Sequence, residues 1–295
     1  MRDKLILLLI ILSVLLTGCS KEKYPSDYPA SPGYTVSDIL YPETGTEQLN
    51  STVAMIDYSN ASLGYVIGFL KAGVNKKIKI QISKDDVKYN YDLTSVTGTS
   101  YPLQLGSGTY TLKILENIEG SQYAIVQSLN LEVAIDNELS PFLYPNILVN
   151  YYPGDQITTL AIDTVKDQDD DLARITTIYQ FVADYLSYDD NKAQLARQQY
   201  IIPDLESLLK EKKGICFDFA AMMVAMLRIN HLPARLICGG VDDDEYHAWV
   251  EVYLEGHGWV NPDIFIDQNT WTIMDPTFAS TKYDYDGQYV QTLYY

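Results

Sequence analysis

Apolar residues recur along this chain with two different periods, and the change comes near residue 140. Between residues 35 and 136 the period is two. In "KKIKIQIS" it puts Ile78, Ile80 and Ile82 on one face, and in "KYNYDL" it does the same with Tyr89, Tyr91 and Leu93. "GTYTLKILEN" and "QSLNLEVAI" continue the alternation, with turns predicted at "GSG" (106–108) and "EG" (119–120). Short strands spaced by turn residues predict an all-β, immunoglobulin-like antiparallel sandwich over residues 35–140. No titratable groups cluster in it, so it reads as a spacer or binding module.

Two prolines in "DNELSPFLYPN" (136–146) mark the boundary to a second domain, residues 141–295. There Leu172, Ile175, Tyr179, Val182 and Leu186 fall at helical spacing behind the acidic start "DQDDDLA". Acidic residues suit a helix N-terminus through its dipole. The acidic run does not fit a calcium loop, having no glycine at the sixth position and no glutamate at the twelfth. "PDLESLLKEKKG" (203–214) predicts a second helix closed by Gly214. A third, from Cys216 to Asn230, turns Ala220, Met223, Val224 and Leu227 to a core. After it "ARLICGG", "HAWVEVYL", "GWVN" and "TWTIMDP" read as strands. Helices followed by a run of strands are an α+β order.

The start of the chain changes the picture of where this fold is displayed. "MRDKLILLLIILSVLLTGCS" has a charged head, an apolar middle from Leu5 to Leu16 and small residues at a cut site. That middle is shorter than the ~20 residues that span a bilayer. "LTGC" resembles the bacterial lipoprotein cleavage box, in which the cysteine becomes the lipid-bearing N-terminus. The resemblance implies a signal peptide at 1–18, lipidation of Cys19, and a protein anchored on the outer, extracellular or periplasmic, side of a membrane. Residues 19–34 contain "SKEKYPSDYPASPGY", rich in Pro, Ser and charge, and read as a tether. The net charge of −18 argues against nucleic acid and anionic lipid surfaces as partners. Twenty-five tyrosines against seven phenylalanines suit a surface of amphipathic rings but identify no ligand.

With Cys19 assigned to lipid, two cysteines remain, Cys216 and Cys238. No C-x-x-C or Cys/His cluster supports a metal site. Cys216 lies in "KEKKGICFDFAAMM", at a helix entrance, where the dipole and the unpaired backbone N–H groups both favour thiolate. The same N–H groups suit an acyl-transfer oxyanion. A buried filler or a disulfide to Cys238 is the plainer reading. Of three histidines, His231 closes the helix beside Pro233, and His257 lies in a Gly-bounded turn. His247, in "YHAWVEVYL", shares a strand face with Trp249, Glu251 and Tyr253, and Ala248, Val250 and Val252 point the other way. A rigidly held strand histidine suits a general base, and equally a structural role. The carboxylate that would orient it is Asp275 in "MDPTF" or Asp263 in "NPDIF".

Taken together, "GICFDFAAMM", "LPARLICGG", "YHAWVEVYL", "GWV" and "MDPTF" resemble the core of the transglutaminase-like superfamily from about Leu172 to Phe278. The resemblance implies a papain-like α+β fold with Cys216 as nucleophile, His247 as base and acid, and Asp275 as orienter. The insertion "NPDIFIDQNTW" before Asp275 departs from family members with a compact hairpin and keeps Asp263 in contention. The implied activity is thioester acyl transfer on protein or peptide amides, ending in cross-linking, deamidation or hydrolysis, with no metal or organic cofactor. Substrates would be proteins or peptides, cell-wall or surface proteins among them, met by a monomer. The competing class is a non-catalytic surface binding or adhesion protein on the same fold.

Overall fold

A computed structural model describes residues 33–241, 245–260, 263–267, 270–273 and 289–295. The signal peptide and Cys19, most of the tether, the acidic run at Asp242–Asp244 and Asp275 lie outside the described residues.

The first half is the expected all-β region. Strands β1 (Gln48–Asn50), β2 (Ala54–Asp57), β3 (Tyr65–Leu70), β4 (Ile78–Lys84), β5 (Val87–Leu93), β6 (Thr99–Pro102), β7 (Gly108–Glu119) and β8 (Gln122–Val133) form two antiparallel sheets. Their orders are β1-β2-β3-β6 and β5-β4-β7-β8. Alternation decides which side faces in: Ile78, Ile80, Ile82, Tyr89, Tyr91 and Leu93 are all buried. The β4–β5 hairpin turns at Asp85, in the left-handed region with φ 52°. Gly120, with φ 53°, turns the β7–β8 hairpin at the predicted place.

The second half packs helices around one buried rod. They are α1 (Gln156–Val165), α2 (Asp171–Tyr185), then a two-residue strand β9 (Ser187–Tyr188), α3 (Asp190–Ala196), α4 (Leu205–Glu211), strand β10 (Lys213–Gly214) and α5 (Cys216–Ile229). The acidic run starts α2 as expected: Asp170 is its N-cap, accepting from the Ala173 N–H at 2.8 Å. The helix predicted over 203–214 is shorter. Lys212 ends it in the left-handed region at φ 53°, and Gly214 belongs to β10, paired in parallel with β9. α1 was not among the predicted elements, although its buried Ile157, Ala161 and Val165 fall at helical spacing; α3 buries no residue and leaves no pattern.

α5 is buried on every side from Phe217 to Ile229, not on one face only. α1, α2 and α4 pack on it from one direction and a sheet from the other. That antiparallel sheet, of order β13-β12-β11-β16, is made of β11 (Ala234–Val241), β12 (Glu245–Leu254), β13 (Gly258–Val260) and β16 (Tyr289–Tyr294). A separate hairpin pairs β14 (Asp263–Asp267) with β15 (Thr270–Ile273), placing the Asp263 backbone opposite Ile273.

The two halves share a core. Tyr295 packs edge-on against Tyr89 and Tyr91 at ring separations of 5.4 and 6.1 Å, and Gln104 Nε2 donates to the Tyr294 carbonyl at 3.1 Å. Arg228, 1% exposed near the end of α5, ties the halves further. It donates to Ala234 O from Nε (3.0 Å) and Nη2 (2.8 Å), to Tyr144 O from Nη1 (2.9 Å) and to Tyr295 O from Nη2 (2.9 Å). The N-terminal segment docks at the same end of α5. Tyr34 stacks on His231 with ring centroids 4.1 Å apart and lies under the Arg174 guanidinium, and His231 Nε2 donates to the Asp38 carbonyl at 2.8 Å. His231, at φ 58°, therefore both closes α5 and anchors a preceding segment.

Candidate active site

Cys216 is the first residue of α5, so its sulfur sits at the positive end of the helix dipole. Its N–H and that of Phe217 belong to the first turn, which has no preceding carbonyls to bond. The thiol is partly buried and free. How the chain reaches this position is decided by three short contacts. β10 runs in parallel beside β9, and Gly214 O accepts the Asp189 N–H at 2.9 Å. Asp218 then closes back on the turn: its Oδ2 accepts the Ile215 N–H at 2.9 Å. Lys192 of α3 grips the same carboxylate, with Nζ at 2.9 Å from Oδ1 and 2.8 Å from Oδ2. Glycine is required at 214 because a Cβ there would stand 2.6 Å from Asp218 Cβ. The small residue read from the sequence as a helix stop is needed for close approach.

The sheet supplies the other wall. β11 and β12 pair so that Cys238 lies opposite Ala248 and Gly239 opposite His247. Leu236, Cys238, Ala248, Val250 and Val252 share one core with α5. His247, Trp249 and Glu251 occupy the other face by alternation, as the sequence pattern proposed, but both faces are covered: Trp249 and Glu251 are buried as well. The His247 ring lies 6.4 Å from that of Trp249, nearly parallel to it, and is 7% exposed. It is the third residue of β12, opposite Gly239 of β11. Further along that face Arg235 lies 3.6 Å from the Trp259 ring centroid and 3.6 Å from Glu251 Oε2. Burial raises the Glu251 carboxyl above its usual range, Arg235 pulling the other way.

Cys238 is buried and free, with no disulfide to Cys216. Burial pushes its thiol up to about 12, a hydrogen bond with the Tyr246 hydroxyl working against this and the sulfur of Cys216 adding to it. A thiol held so strongly protonated is inert beside its neighbour. Exposed Tyr200, whose ring is 6.3 Å from that of Phe217, and exposed Tyr246 flank this region with aromatic surface. His257 lies exposed in the turn between Gly256 and Gly258, both with φ near 80°. Among the described residues no group of three or more His, Cys, Asp or Glu side chains is placed to hold a metal. Sequence reasoning missed Lys192, which is 26 positions from Asp218 and on a helix too short to show a period.

The family model described as the transglutaminase-like superfamily matches residues 158–276. Residues 158–276 form a transglutaminase-like domain. The match begins within α1 and runs beyond β15, taking in Cys216, His247 and Asp275. The uncharacterized protein YebA of Bacillus subtilis (strain 168) is 25% identical over 124 residues. The match covers 36% of this chain and only 17% of that relative. Among solved structures, a candidate cysteine protease from Cytophaga hutchinsonii is similar at a TM-score of 0.37 and 14% identity, over 85% of this chain and 82% of that one. Red sea bream transglutaminase is similar at 0.29 and 13%, over 86% and 57%. The matched residues combine helices with an antiparallel sheet, and an all-β region precedes them.

Proposed function

We propose that this protein is a lipid-anchored surface enzyme whose transglutaminase-like domain performs cysteine-based acyl transfer on protein or peptide amides. The observation that carries the reading is the free, partly buried thiol of Cys216 at the first residue of a fully packed helix. The Cys216 thiolate attacks a carboxamide or peptide carbonyl, and the first-turn N–H groups receive the oxyanion. His247, having taken the thiol proton, returns it to the nitrogen as the C–N bond breaks, leaving a thioester and a free amine or ammonia. An incoming amine or water then cleaves the thioester and restores the thiol. Asp275 is assigned to orient the imidazole, with Asp263 as the competing carboxylate. Cys19 carries the lipid, and the tether holds the catalytic domain at the outer face of the membrane.

The test is alkylation of the purified mature chain by iodoacetamide. Cys216 should react faster at pH 6 than a free model thiol, and Cys216→Ala should abolish incorporation of a labelled primary amine into a glutamine-bearing protein and any peptide hydrolysis. A Cys216 thiol no more reactive than the free one would end the proposal. Cys19→Ala should release the protein from membranes and leave the soluble activity intact; continued membrane association would refute the anchor.

A further inference from the structure

Beyond the three residues assigned to the chemistry, the entrance of α5 is tied to the start of α3 by two independent contacts. One is backbone to backbone, Asp189 N to Gly214 O at 2.9 Å. The other is the ion pair between Lys192 Nζ and both oxygens of Asp218. α3 is itself fixed there, since the Lys192 N–H donates to the Asp189 side chain at 3.0 Å. Asp218 is 1% exposed, which no isolated carboxylate tolerates without partners. Its position explains where it points. Residues two apart on a helix do not face one another, so the carboxylate turns inward to α3 and the Cys216 sulfur does not. Asp218 therefore acts on the thiol through the Ile215 backbone and through space.

We propose that Lys192 and Asp218 are positioning residues that set the first turn of α5, and with it the sulfur of Cys216. In this arrangement the carboxylate fixes the turn, and the ammonium cancels a negative charge that would otherwise stand beside the reacting thiolate. Neither residue touches substrate. The inference rests on the acyl-transfer reading only for its purpose; the coupling itself is a property of the fold.

Each half of the pair has a different electrostatic sign, and that makes the role separable from simple stability. Removing the cation leaves a buried anion near the sulfur and disfavours thiolate. Removing the anion leaves a cation and favours it. The groups that act on Asp218 are Lys192, Asp189 and the Ile215 N–H. Cys238, on the sheet face that packs against α5, has its thiol pushed up by burial and so stays neutral throughout the range needed.

The experiment is the pH profile of iodoacetamide alkylation at Cys216 in the full mature chain, with thermal melts as the control for folding. Lys192→Met should move the midpoint up by about one unit, which is about tenfold slower alkylation at pH 6. Asp218→Asn, which keeps an oxygen for the Ile215 N–H, should move it down, and Lys192→Arg should restore the wild-type midpoint. A folded Lys192→Met variant with the wild-type midpoint overturns the proposal, as do shifts of the same sign in both variants. Should Lys192→Met fail to fold, an Asp218→Asn midpoint that rises or holds still is enough to overturn it. The outcomes are distinguishable from failure of the enzyme reading. A wild-type thiol no faster than a free one rejects acyl transfer, while the relative midpoints continue to report on the pair.

Discussion

Arg228→Met is the substitution whose cost can be worked from the structure most directly. Arg228 is buried, has four N–H donations into three carbonyls, and burial drives its guanidinium down to about 10, still protonated at neutral pH. Methionine keeps most of the aliphatic volume and removes the charge and all four donors. A net hydrogen bond is worth about 1 kcal/mol, and more from a charged donor. Against this, the variant escapes the desolvation cost of a cation near the C-terminus of α5, where the dipole only partly compensates it. Tyr295 O also keeps the Leu236 N–H at 3.0 Å, which limits the damage there. The balance is a loss of about 3 kcal/mol, which in a chain of this size lowers Tm by roughly 6–12 °C. Differential scanning calorimetry reads it. A midpoint within about 2 °C of wild type would refute the accounting. Arg228→Lys separates charge from shape: one ammonium cannot replace a three-way fork, so most of the loss should remain. Full rescue by lysine would show that charge alone matters.

Gly214→Ala should push Asp218 off the Ile215 N–H and slow Cys216 alkylation at least as much as Lys192→Met, with a lower Tm; wild-type alkylation would show that the turn can relax around a Cβ. His247→Ala should remove rapid alkylation of Cys216, whereas His231→Ala and His257→Ala should leave it nearly intact, and the same rate assay decides. Asp275→Asn should cost more amine incorporation than Asp263→Asn, and the reverse order would reassign the orienting carboxylate. Burial holds the His231 imidazole below its ordinary 6.5. Its stabilising contribution is therefore present above pH 6.5 and lost as pH falls through the depressed value. Tm measured from pH 7 to 5 should fall less steeply in His231→Gln than in the wild type; equal slopes would contradict this.

Much of the fold could be read from alternation and helical spacing, because the residues involved bury one side against neighbours close in sequence. Ile78, Ile80 and Ile82 announced β4, and Asp170 announced the start of α2. α5 was found but misjudged: its small and apolar residues were read as one core face, whereas the helix is surrounded. Gly214 reads in the sequence as a helix stop, because the atom its missing Cβ makes room for comes from Asp218, one turn later. Lys192 left no trace in the sequence; its partner is distant and α3 is about two turns with no buried residue. Arg228 reads as an ordinary basic end to a helix, and only the convergence of three remote carbonyls makes it a hub. His231 reads as the close of a helix, and Tyr34 and Asp38, nearly two hundred positions earlier, give it a second role. For Cys216 and His247 the residue types and their elements were legible. Their partners depend on strand register, which fixes Cys238 opposite Ala248 and His247 opposite Gly239.

The packing of Tyr295 on Tyr89 and Tyr91 has a practical corollary. The all-β half is not a bead that can be exchanged on a string, because it provides part of the seat for the last strand of the β13-β12-β11-β16 sheet. A chimera grafting the cysteine-bearing half onto another carrier would have to bring along the tyrosine and glutamine patch of β5 and the Gln104 loop. Without that patch the strand beside Cys238 would lose its outer support, and the new carrier would leave the cysteine-bearing half with an open seam.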